Sequence, residues 1–95
     1  MPSFRVTLTI GTVRVDPGSI VPRAAEAASA LATVEASDIT ISRGQPRVVI
    51  RFSEDDEDVA LQIGEHVANV VGGLADVLAF QVTERVGSAW RRIAR

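Results

Sequence analysis

Ninety-five residues, 46% of them hydrophobic, suffice for one small domain with a core of its own. Twelve acids against ten basic residues leave a net charge of −2, which argues against a generic nucleic-acid binder; the absence of cysteine excludes a disulfide framework, a thiolate metal site and a thiol nucleophile. No apolar run approaches the ~18 residues of a membrane helix, and Met1-Pro2-Ser3-Phe4-Arg5 is no basic leader, so a cytoplasmic protein away from the membrane is expected.

From Phe4 to Ile10 the residues alternate strictly: Phe4, Val6, Leu8 and Ile10 take one face, Arg5, Thr7 and Thr9 the other. That is a strand with one face in the core. After Gly11-Thr12 the apolar phase moves to Val13 and Val15, as a glycine bulge within one bent strand or a two-residue turn would each produce. Asp16-Pro17-Gly18-Ser19 closes the segment. Ser19 is placed as N-cap of a helix running to about Val34, with Ile20, Ala24, Ala27/Ala28, Leu31 and Val34 inward at helical spacing.

Two β-branched runs, Ile39–Ser42 and Arg47–Ser53, flank Arg43-Gly44-Gln45-Pro46 and predict a hairpin. Ile39, Ile41, Val48, Ile50 and Phe52 face the core, and Thr40, Ser42, Arg47, Val49 and Arg51 face away. A second helix follows, capped by Ser53 or Asp55, with inward residues Val59, Ile63, Val67, Val70/Val71 and Leu74 and a stop at Gly72-Gly73. The acids Glu54 to Asp58 lie in its first turn, where they complement the helix dipole. A last strand, about Val77 to Arg85, puts Leu78, Phe80 and Val82 inward and Val77, Ala79, Gln81, Thr83 and Arg85 outward.

Strand, helix, strand, strand, helix, strand is the order of the split β-α-β, ferredoxin-like plan. The expectation is an α+β sandwich over residues 1–86, with two helices on one face of a four-stranded antiparallel sheet. Residues 87–95 form a basic tail carrying Trp90.

The other sheet face then lies open, bearing Arg5, Thr7, Thr9, Thr40, Ser42, Arg47, Val49, Arg51, Gln81, Thr83 and Arg85. Its central strands lack the aromatic rings on which RNA-recognition sheets stack bases. A nucleophile with a base, a metal-ligand cluster and a phosphate loop are all missing from the sequence, so no catalytic residue, cofactor or metal is expected, and His66 reads as a surface residue. The leading expectation is therefore a non-enzymatic association module that forms a homodimer through the open face, with Arg5, Thr7, Arg47, Val49, Arg51, Val77 and Ala79 as its interface.

Val15-Asp16-Pro17-Gly18-Ser19-Ile20, followed by Asp38-Ile39-Thr40-Ile41, resembles the start of an ACT regulatory domain. That resemblance implies a small-ligand site near a dimer interface, carried by Asp16, Gly18 and Asp38. In length and element order the chain is also similar to dimeric α/β-barrel enzymes, a likeness that implies a pocket using His66, Asn69 or Trp90.

Overall fold

The computed structural model describes residues 2–93. Strand β1, Ser3–Val13, is longer than its alternating stretch, because it continues beyond Gly11-Thr12 to bring Val13 opposite Ala75. The phase change is thus a bulge, which leaves the chain in the same strand; the turn reading is excluded. Gly11 suits the place, since a Cβ there would lie 3.1 Å from Leu78 Cδ2.

A single 3-10 turn, Pro17–Ser19, leads into helix α1, Ile20–Ser29. Ser19 is its N-cap residue by position but makes no side-chain cap; its hydroxyl donates to the Asp16 carbonyl instead. The helix stops well short of Val34. Strand β2, Thr33–Ser42, claims Val34, and Leu31, in the turn between helix and strand, is 52% exposed rather than in the core. Strand β3, Gln45–Ser53, joins β2 through the two-residue turn Arg43-Gly44. Both turn residues have positive φ, 53° and 77°, the backbone that matches the twist of a tight hairpin. Helix α2, Glu57–Gly72, is followed by β4, Ala75–Val86, and β5, Ala89–Ile93.

The sheet order is β2-β3-β1-β4-β5, with all four pairings antiparallel. The described residues form five strands, not four: Gly87, at φ 62°, turns the chain so that Ala89–Ile93 pairs with Val82–Val86. The fifth strand thus comes from the segment expected as a tail, of which Ala94 and Arg95 lie outside the described residues.

The core lies between the sheet and the two helices. Phe4, Val6 and Leu8 of β1 and Val48, Ile50 and Phe52 of β3 are completely buried, with Phe4 and Phe52 stacked 6.0 Å apart. Residues opposite one another in register share a face, so the expected phase of these strands holds. Helix α1 adds Ile20, Ala24, Ala27 and Ala28, and α2 adds Ala60, Leu61, Ile63, Val67 and Val71. Val59, expected inside, is 37% exposed, since Ala60 and Leu61 take the inward positions. At Gly64 a Cβ would collide with Val82 Cγ2, so the glycine lets α2 settle onto β4.

Three further departures follow from where the helices end and the strands bend. Ile39 and Ile41 lie on the helix side, opposite Val48 and Pro46, but are 49% and 68% exposed on an edge strand. Phe80 and Leu78, expected in the core, are 40% and 56% exposed on a length of β4 that β5 does not reach. Bulging beside Leu78 reverses the parity there, so Val77 sits opposite Ile10 and packs against the core.

Candidate anion-binding face

Register alone assigns the residues of the uncovered sheet face. From β1 come Ser3, Arg5, Thr7 and Thr9, opposite Ser53, Arg51, Val49 and Arg47 of β3. On the other side of β1 lie Thr83, Gln81 and Ala79 of β4, and beyond them Arg92 of β5 faces Thr83. Of the expected interface residues, Arg5, Thr7, Arg47, Val49, Arg51 and Ala79 are thus together on one surface. Val77 leaves that set, because the bulge turns it towards the core.

Trp90 joins the face and organises its lower end. In β5 it alternates with Arg91, so Trp90 and Arg92 project to the open side while Arg91 and Ile93 project to the helix side. The Arg5 guanidinium lies 3.8 Å from the Trp90 ring centroid and that of Arg51 lies 5.6 Å from it. Such stacking fixes both the ring and the guanidinium planes. On the other side of β5, Arg91 donates to Glu84 at 2.6 Å and reaches Glu57 of α2 at 3.5 Å, which pins the strand to the body.

Glu35 is the extra residue in a bulge between Val34 and Ala36, a place that no pattern in the sequence marks. Its carboxylate accepts from Ser53 Oγ at 2.7 Å, Arg51 Nε at 2.8 Å and Ser3 Oγ at 2.9 Å. The Ser53 hydroxyl above all, with Ser3 and Arg51, holds the Glu35 carboxyl below its usual range against the opposing effect of desolvation. Arg51 is thereby committed to an internal partner.

Arg47 is placed differently. Its Nε is buried and has no hydrogen-bond acceptor among the described residues. The side chain lines a cleft of about 180 Å³ with Thr7, Thr9, Ala79, Phe80, Gln81 and exposed Arg92. No carboxylate contributes to that lining. A second hollow, about 260 Å³, lies on the other side of β3 between Arg5, Arg51, Val49 and the β2 residues Ala36, Ser37, Asp38 and Thr40. By register the whole face carries Arg5, Arg47, Arg51, Arg85 and Arg92 against Glu35 and Asp38.

The 3-10 turn ahead of α1 and the start of α2 are capped by the protein's own carboxylates. Asp16 Oδ1 accepts from Gly18 N. At α2 the cap is Asp56, which accepts from the N–H groups of Asp58 and Val59, while Glu54 takes those of Asp55 and Asp56. Neither Ser53 nor Asp55 serves as the cap: Ser53 donates to Glu35, and Asp55 lies within the loop that Glu54 closes.

The ACT-like residues do not converge. Asp16 and Gly18 form the turn before α1, whereas Asp38 lies on β2 opposite Val49 and accepts from Ile39 N at 2.7 Å. His66 is exposed in a shallow groove between the helices with Arg23, Glu26, Ala27, Ala30 and Val70. Asn69 is exposed as well, and Trp90 lies on the opposite side of the sheet, so no enclosed pocket unites the three. Among the described residues there is no cluster of three metal-binding side chains and no helix long and apolar enough to cross a membrane.

No protein-family model matches the chain, and no curated protein matches it. Among solved structures it is similar to the acylphosphatase of Bacillus subtilis, with a TM-score of 0.54 over 97% of this chain and 94% of that one. The two share a fold. Their sequences are 19% identical, so the likeness extends to the α+β architecture of two helices on an antiparallel sheet, and the activity named for the neighbour stays with the neighbour.

Proposed function

We propose that the protein acts as a binding module, and that its open sheet face takes a small oxyanion ligand such as a phosphorylated metabolite. The observation that carries this reading is the Arg47 Nε, buried beside a cleft without an acceptor, in a lining of threonines, a glutamine and a second arginine and no acid. A buried unpaired donor is costly, and a charge-assisted bond to an oxyanion would relieve it. Arg92 would supply the second positive charge, and Thr7, Thr9 and Gln81 offer neutral donors. Nothing in the cleft pairs a nucleophile with a base, so the reading is one of binding rather than turnover.

The alternative is the sheet-to-sheet homodimer, in which Val49 and Ala79 would make the apolar contacts. It would set the arginines of one face against those of another with only Glu35 and Asp38 as complements, and Glu35 is already engaged. Like charges held face to face oppose association.

Isothermal calorimetry with inorganic phosphate and pyrophosphate tests the proposal. Saturable binding should weaken about 10- to 100-fold in Arg47→Gln, the worth of one charged hydrogen bond, and remain unchanged in Arg43→Gln at the hairpin turn. Absence of heat with both anions, or equal binding by the Arg47 and Arg43 variants, would overturn it. Sedimentation of the ligand-free protein as a dimer that Val49→Glu dissociates would favour the homodimer instead.

A further inference from the structure

We infer that two copies of this chain pair through the outer edge of β2, antiparallel about Thr40, to make one sheet of twice the width. Strand β2 has ten residues and pairs with β3 alone, at one end of the sheet. Its outward N–H and C=O groups form the kind of row that templates another strand.

Edges are ordinarily blunted by brevity, proline, lysine or a bulge. Here the bulge sits near the start, between Val34 and Ala36, and from Ala36 to Ser42 the register with β3 runs without interruption. That length contains no proline and a single charge, Asp38, whose Oδ1 accepts from the Ile39 N–H at 2.7 Å in the single chain, a bond that pairing with a second copy replaces. The opposite edge is a poorer template: β5 is only five residues long, and the part of β4 beyond it carries register shifts that bend it.

The identity of the partner follows from side-chain register. An antiparallel copy centred on Thr40 places Ile39 opposite Ile41 of the second copy, and Ile41 opposite its Ile39. All four lie on the helix side, where Ile39 is 49% and Ile41 68% exposed in the single chain. Asp38 falls opposite Ser42 of the second copy, one residue from its Arg43, so each end of the paired stretch joins an acid to a base. The pairing ends where the Arg43-Gly44 turn begins. The contact also leaves the arginine face outside it, avoiding the like-charge cost of a face-to-face dimer.

The chain lacks cysteine, so single thiols can report the geometry. Residues directly opposite in an antiparallel pair have Cα atoms about 4.5 to 5.5 Å apart, within disulfide range. Thr40→Cys should therefore oxidise to a covalent dimer under mild conditions, whereas Thr7→Cys, in the middle of the open face, should stay monomeric. Sedimentation equilibrium across the micromolar range should show a reversible dimer that Ile41→Lys dissociates without altering the circular dichroism spectrum. A monomer at every concentration, a dimer that withstands Ile41→Lys, or preferential cross-linking through Thr7→Cys would each overturn the inference. Phosphate binding is measured separately and is independent of this outcome.

Discussion

The two faces of the β1–β3 pair are built from interleaved residues of the same strands, yet they differ in nearly every physical respect. Towards the helices stand Phe4, Val6, Leu8, Val48, Ile50 and Phe52, all completely buried. Towards the open side stand Arg5, Thr7, Thr9, Arg47, Val49 and Arg51, all partly exposed. The first face is held by area removed from water and tolerates no missing volume. The second is held by directed contacts: Arg5 on Trp90, and Arg51, Ser53 and Ser3 on Glu35. Side chains one residue apart should therefore respond to different perturbations.

The widest separation is expected between neighbours. Ile50→Ala should cost about 2 to 5 kcal/mol as a core deletion, a large share of the about 5 to 15 kcal/mol typical of a domain. Val49→Ala should cost much less, because Val49 is on the half-open side. Denaturant midpoints of the two variants measure the contrast, and equal shifts would abolish it.

Gly64→Ala sharpens the comparison at the helix-facing side. In an exposed helix this change would stabilise by about 1 kcal/mol through propensity. Here the new methyl meets Val82 Cγ2, so overpacking of about 1 to 3 kcal/mol should reverse the sign. A thermal melt reads the result directly.

On the open side, Trp90→Ala should destabilise by about 0.5 to 2 kcal/mol through loss of the cation–π stack. Most of that loss should disappear in an Arg5→Ala background, since the two residues share the interaction. Additive effects would show that Trp90 acts by burial alone.

The smallest effect is one of pH. Because the folded Glu35 carboxyl is held below its ordinary value of 4.5, its contribution is complete above that pH and decays as acid titrates the folded form. Glu35→Gln should thus melt below the unmodified protein at about pH 7, and the gap should narrow as the pH falls below the ordinary carboxyl value of 4.5. A gap independent of pH would show that the bulge needs only the shape of the side chain.

How legible these features were depends on how local their cause is. The alternation Phe4 to Ile10 and Val48 to Phe52 reports the buried face directly, because those strands lie centrally beneath the helices. Apolar spacing carries helix α1 too far, because Leu31 and Val34 continue its period. What ends it is the pairing of Thr33–Ser42 with β3, a long-range effect. Ile39 and Ile41 had the right face and the wrong burial, since phase says nothing of whether an edge strand is covered. Strand β5 is five residues long, and only Gly87-Ser88 between Val86 and Ala89 hinted at a hairpin.

The candidate site divides in the same way. Arg5, Thr7, Arg47, Val49, Arg51 and Ala79 were legible from alternation, and Val77 was lost to a bulge that alternation cannot register. Glu35 and Trp90 were not legible in their roles, because a bulge and a fifth strand bring them to the face. Asp16, Gly18 and Asp38 are each explained by a local backbone hydrogen bond or turn, which accounts for those residue types without a ligand.

Strand β1 has a further consequence, in the order of synthesis. It is made before both strands that flank it, β3 and β4, yet it lies at the centre of the sheet, with Phe4 opposite both Phe52 and Glu84. During translation its apolar face gains one neighbour when β3 emerges and the second only when β4 is nearly complete. Loop closure over such a separation is slow, and an unpaired central strand is exposed to other chains while it waits. The alternating arginine and threonines that later line the open face thus keep the nascent strand polar on one side throughout the interval when the other side has nothing to cover it.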